Sequence, residues 1–237
     1  MIRLLHDSTF AAALYTDRAA TLAGLDLSAT EIAWLTAPPP AAWRTDAARP
    51  ARVRAALAEE FPATVVLATA HAAGFLRAPE FHAAIQERGS LALAFGDYLA
   101  RAPDPRARVL ARLERAVAAV RRAPTLAVAS PPGRLRLAAR AVVVVVPSGA
   151  LALLDAVRAG GAPGRLGPDD SPVLVAGVPA GGDVTLEALE PALAALLVRA
   201  AEGCAREELL LEARRHGAPP GEDEAIVSGL VADGLLG

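Results

Sequence analysis

Lysine is absent from this chain of 237 residues, and cysteine occurs once, as Cys204. A single thiol can form neither an internal disulfide nor a thiolate metal cage, which fits a reducing cytoplasm. Aromatic residues make up only 4% of the chain, leaving none interleaved with the arginines of residues 108–122 to stack on bases. Long apolar runs are also missing. The longest uncharged stretches, residues 62–76 and 141–154, fall short of the roughly 18–20 residues that a membrane helix requires. Arg3, His6, Asp7 and Asp17 come too early for the apolar core of a signal peptide. A soluble, unprocessed, cytoplasmic protein is expected, with no membrane partner.

What is present is abundant Ala, Leu, Val and Arg. An apolar fraction of 54% with 21% charged residues excludes general disorder. The length allows one domain or two, and charge favours two. Residues 1–123 hold 15 Arg and 12 acids, whereas residues 124–237 hold nine Arg and 14 acids. The expected fold class is α+β: an all-helical domain over 1–123, then an α/β domain over 124–237 with a small antiparallel sheet.

The first half reads as helix throughout. Ser28 and Glu31 have capping-box spacing, and Pro38, Pro39 and Pro40 stop the helix they open. Pro79 suits a first helical position, and Gly89 is placed to close that helix with positive φ. Ser90 caps the next helix, which carries Leu91, Phe95, Tyr98 and Leu99. Gly96 and Asp97 interrupt its pattern, where glycine costs about 1 kcal/mol; close packing or an internal ion pair would explain them. Asp104 and Pro105 then open a long helix with Val109, Leu110, Leu113, Val117 and Val120 on one stripe. Arg108, Arg112, Arg115 and Arg122 share another face, either solvated or a dock for an acidic partner surface.

Near residue 123 the period changes. Strands are expected over 125–130, 134–138 and 142–146, with Pro131, Pro132 and Gly133 as a turn. Five consecutive valines suit a strand covered on both faces, and Ser148 is placed to cap the helix of Leu151, Leu154 and Val157. The glycines of residues 160–167 follow a helix rather than a strand, so they read as a surface connection and not a phosphate loop.

From residue 171 a hairpin around Ala180, Gly181 and Gly182 is followed by three helices and an apolar stop at residues 230–236. That is the element order of a winged helix. Its 11 acids against four arginines are wrong for displacing counterions from phosphates. A peptide fits better, added as a strand to a free sheet edge beside a helix. Val184, Leu186, Ile226 and Leu230 are the candidate peptide contacts, although each taken alone reads more readily as core. Glu222, Asp223 and Glu224 suit the dipole of the last helix.

No catalytic constellation emerges. His6, His71, His82 and His216 are scattered without metal-ligand spacing, no P-loop, nucleophile elbow or dinucleotide fingerprint occurs, and Cys204 follows Gly203 in an ordinary turn. Neither a catalytic residue nor a metal ligand is assigned.

Residues 87–99, Glu-Arg-Gly-Ser-Leu-Ala-Leu-Ala-Phe-Gly-Asp-Tyr-Leu, together with residues 111–116 and the ending at 224–236, resemble the partner subunits of multinuclear non-haem iron-dependent oxidases, of the kind found in methanobactin biosynthesis. The resemblance implies a division of labour. Iron and the oxidation of a precursor-peptide cysteine would belong to a barrel-shaped companion. This chain, with no cofactor of its own, would bind that oxidase and help present the leader of the ribosomally made precursor; the resemblance assigns no contact residues, and the candidate dock, Arg108, Arg112 and Arg115, rests on their shared helix face alone. The rival expectation is a winged-helix transcriptional regulator, with a stand-alone enzyme third.

Overall fold

Short polar caps divide the N-terminal segment into brief helices. Asp7 Oδ1 accepts the amides of Thr9 and Phe10 at 3.1 Å each, separating α1 (Ile2–His6) from α2 (Ser8–Thr16). Asp17 caps α3 (Arg18–Leu22) through Ala20 N at 3.0 Å. The capping box of Ser28 and Glu31 starts α4 (Ala29–Thr36), as the spacing predicts. These helices gather Leu4, Leu14 and Leu22 into a small core. The structure, a computed structural model, describes residues 2–44, 48–124, 133–168, 170–177, 183–219 and 221–237. The strand expected over 125–130, Pro131 and Pro132, and the turn residues Ala180, Gly181 and Gly182 lie outside the described residues.

Prolines at first helical positions open several of the next helices, where the missing amide costs nothing. The helices that follow are α5 (Arg49–Glu60), α6 (Pro62–Leu67), α7 (Thr69–Ala72), α8 (Pro79–Gln86), α9 (Leu91–Leu99) and α10 (Pro105–Arg122); α6, α8 and α10 begin with proline, and α5 has it second. At the end of α8 the expected role of Gly89 falls to its neighbour. Arg88 takes the left-handed φ of 54°, because that reversal lets the Gly89 amide close back on Ala84 O at 2.8 Å. Gly96 does not break α9. Phe61, Phe75, Phe81 and Phe95 fill the centre of this half, with ring centroids 4.9–5.4 Å apart in tilted and edge contacts.

α10 is buried on two sides. Ala111 and Ala118 meet the phenylalanine core, whereas Leu110, Leu113, Val117 and Val120 pack on the second half of the chain. The expected division at residue 123 follows the end of α10, yet the two halves share this core.

Beyond α10 come β1 (Arg134–Leu135), β2 (Ala141–Pro147), α11 (Ala150–Arg158), β3 (Asp170–Gly177), β4 (Val184–Ala188), α12 (Pro191–Ala201), β5 (Cys204–Ala205), α13 (Arg206–Arg215) and α14 (Glu222–Ala232). The fold is α+β. Strands β2, β3 and β4 form an antiparallel sheet in that order, with Val144 opposite Val173 and Val175 opposite Leu186. Alternation sends Val142, Val144, Val146, Val173, Val175, Val184 and Leu186 towards α10 and α11. Val143, Leu174 and Ala176 face α12 and the helices behind it. The valine strand is therefore covered on both faces, apart from Val145 at 43% exposure.

Three expectations are corrected here. Ser148 does not cap α11; Gly149 does, at φ 83° and without a side-chain bond, while Ser148 O accepts the Gly167 amide at 2.8 Å. The β3–β4 hairpin joins β2 rather than the strands of the three C-terminal helices, since five consecutive valines offer a longer apolar partner than the two residues of β5. That short strand pairs instead with β1, and Leu137 bridges Leu236. Cys204 lies in β5 and is buried, and burial pushes its thiol pKa up. Among the described residues no helix is long and apolar enough to cross a membrane.

Candidate peptide-docking edge

The outer edge of β4 is fixed by two hydrogen bonds on β3. Gly177 N turns towards β2, bonding Arg140 O at 2.9 Å, and Pro172 O turns towards β4, accepting Leu189 N at 2.9 Å. Residues alternate between the two neighbours in an antiparallel ladder. Thr185 and Glu187 therefore exchange bonds with β3, and Val184, Leu186 and Ala188 present their N–H and C=O groups outward. Among the described residues those outward groups have no partner.

The opposite edge of the sheet, along β2, is partly covered: the Ala141 amide bonds Ala138 O at 2.9 Å. Val145 and Pro172 form a non-hydrogen-bonded pair, since Pro172 turns towards β4, so the Val145 carbonyl also points outward. Arg112 reaches from α10 and donates to it. Among the described residues the β2 edge thus carries a side-chain cap at its centre, and the β4 edge carries none.

Charge beside the open edge is negative. All four arginines after residue 171 are spent on nearby acids: Arg199 on Glu208, Arg206 on Glu224 at 2.5 Å, Arg214 on Asp223 at 2.6 Å and Arg215 on Glu212 at 3.0 Å. Asp183, Glu187 and Glu190, which flank or lie on β4, have no ion pair among the described residues. Burial alone would lift the Asp223 carboxyl. The Arg214 guanidinium and the amides of Gly221 and Glu224 outweigh it and hold the group below its ordinary range.

The four candidate contacts are not brought together. Val184 and Leu186 belong to the core shared with α10, whereas Leu230 is buried among α12 and α13 across the sheet. Ile226 is 36% exposed on α14. Sequence reasoning expected a strand added to a free sheet edge but did not fix which backbone groups of β4 face outward; the register of the ladder fixes them.

The candidate docking arginines are engaged within the chain. Arg108 Nη1 donates to Ala102 O and Pro103 O at 3.0 Å each, Arg112 holds Val145, and Arg115 pairs with Asp97. Arg122 pairs with Glu60. Arg108 and Arg112 keep exposed surface beyond these bonds.

One buried acid escaped the sequence reading. Glu114 on α10 accepts Ala63 N at 3.0 Å, Thr64 N at 2.9 Å and Thr64 Oγ1 at 2.7 Å, capping α6 from a distance in sequence. Burial raises its pKa against the pull of those donors. Its bonds are all internal, which makes it a tie between helices. Among the described residues no group of three or more His, Cys, Asp and Glu side chains could hold a metal ion. Comparison with protein-family models finds no match to the chain, and comparison with curated proteins finds none of significance.

Proposed function

We propose that this chain is a non-catalytic partner subunit of an iron-dependent peptide-modifying oxidase and recognises the leader of a ribosomally synthesised precursor peptide whose cysteine is oxidised. The observation that carries the reading is the open edge of β4. An extended leader would hydrogen-bond to Val184, Leu186 and Ala188 as a fourth strand. The unpaired acids Asp183, Glu187 and Glu190 favour a leader with Arg or Lys. Ile226 and Leu230 do not lie on that edge and have no part in this version of the contact.

Residues 189–237 are read as a winged-helix-like module. Supporting this, α12, β5, α13, α14 and the segment at Leu236 follow helix, strand, helix, helix, strand, with residues 134–137 between the two strands. All four arginines of residues 189–237 pair with acids, leaving only Arg134 and Arg136 of the intervening strand without an acid partner among the described residues, which weighs against a DNA-binding regulator. In this reading, residues 1–123 carry the oxidase-docking surface at Arg108 and Arg112. Residues 124–237 carry the leader site, and the iron belongs to the oxidase.

Titration of the purified chain and of its oxidase complex with candidate leader peptides tests the reading. Saturable binding that weakens as salt rises is the expected result. No binding by either form would overturn it.

A further inference from the structure

The two faces of β4 differ in kind. Val184 and Leu186 turn towards α10 and are only half-buried there, so each keeps apolar surface uncovered on the outermost strand. Thr185 and Glu187 turn the other way and are exposed, as are Asp183 just before the strand and Glu190 just beyond it. The ladder gives the outward amides and carbonyls to Val184, Leu186 and Ala188, so the docking length is the five residues of β4.

An added strand inherits this asymmetry whichever way it runs. Residues opposite one another in a ladder share a face of the sheet. Side chains opposite Val184, Leu186 and Ala188 therefore lie on the α10 side, where they extend the apolar surface. The two between them lie opposite Thr185 and Glu187, with Asp183 flanking them. Lys or Arg there meets a carboxylate, whereas Asp or Glu there meets its own sign. A slip of one residue would put the apolar set in water and the cations beside Val184 and Leu186.

We infer that the leader segment held at β4 is an amphipathic strand in alternation, apolar at its first, third and fifth residues and Arg or Lys at its second and fourth. The inference rests on the reading of β4 as the docking edge for the leader, and adds which sequences that edge selects.

Isothermal titration of the full chain with two capped pentapeptides of one composition tests it. Acetyl-Ile-Arg-Ile-Arg-Ile-amide alternates and acetyl-Ile-Ile-Ile-Arg-Arg-amide does not. The alternating peptide should bind one-to-one and about tenfold tighter than the other. Glu187→Lys, at an exposed position, should weaken it about fivefold and strengthen acetyl-Ile-Glu-Ile-Glu-Ile-amide by a similar factor. A thermal melt verifies the fold of the variant. No binding of the alternating peptide, equal affinity for the two arrangements, or indifference to Glu187→Lys would each overturn the inference. Leader recognition is decided separately: a precursor leader that binds the chain and loses affinity with Ala188→Pro, while the two arrangements bind alike, leaves the docking edge standing and removes the alternation.

Discussion

Asp97 on α9 and Arg115 on α10 close a two-point ion pair, with Nε to Oδ1 at 2.5 Å and Nη2 to Oδ2 at 3.2 Å. The pair is about half exposed, and such pairs contribute at most about 1 kcal/mol. Its neighbour matters more. A Cβ on Gly96 would stand 2.7 Å from Arg115 Cβ and Cγ and 3.1 Å from Phe61 Cε1.

Gly96→Ala is therefore expected to destabilise. Helix propensity favours alanine by about 1 kcal/mol, while overpacking costs about 1–3 kcal/mol, and the root of Arg115 cannot swing away as its tip could. The midpoint of urea unfolding should fall. An unchanged or higher midpoint would show that α9 and α10 have slack at this crossing.

Glu114 gives a larger effect. Glu114→Ala strands three donors at Ala63 and Thr64, for a loss of roughly 3 kcal/mol or more; Glu114→Gln keeps one acceptor and should lose less. Because the folded pKa is raised, this carboxyl's contribution to stability is fully present below its unfolded pKa. It is lost as pH rises through the folded one. The stability advantage of wild type over Glu114→Gln should shrink across that window. A difference that is flat with pH, or grows, contradicts the assigned shift.

Arg112 acts on the valine strand. Arg112→Ala uncovers the Val145 carbonyl on an apolar edge of high β-propensity, the kind of surface that templates further strands. Light scattering on concentrated protein should rise relative to wild type, with little change in melting temperature. Identical scattering would mean that Arg112 does not protect this edge.

Ala188→Pro probes the other edge. Ala188 is exposed and its amide points outward, so proline removes one docking donor and leaves the ladder to β3 intact. Leader affinity should drop about tenfold, since a lost hydrogen bond contributes about 1 kcal/mol or somewhat more, while the melt stays near wild type. Undiminished affinity would place leader binding away from β4.

What the sequence discloses here is local. Ser28 with Glu31, Ser90, and Asp104 before Pro105 cap helices as their spacing predicts, because each contact spans three residues or fewer. Gly96 and Asp97 were legible as an oddity, and both explanations, tight packing and an ion pair, hold. Long-range ties were not legible: nothing in the chain marks Glu114 as the cap of a helix 50 residues away. Hydrophobicity could not tell a core position from a docking position. Val184 and Leu186 therefore drew attention for side chains that turn inward, when their outward-facing amides and carbonyls form the open edge.

α10 has one further consequence. Since Ala111 and Ala118 serve one interior and Leu110, Leu113 and Val117 another, this helix is a party wall common to both rooms. A cut at residue 123 would leave the C-terminal fragment with its valine sheet stripped of a neighbour and the N-terminal fragment with a greasy flank in water. Melting of the intact chain should accordingly be a single event, with strain introduced in either interior felt in the other.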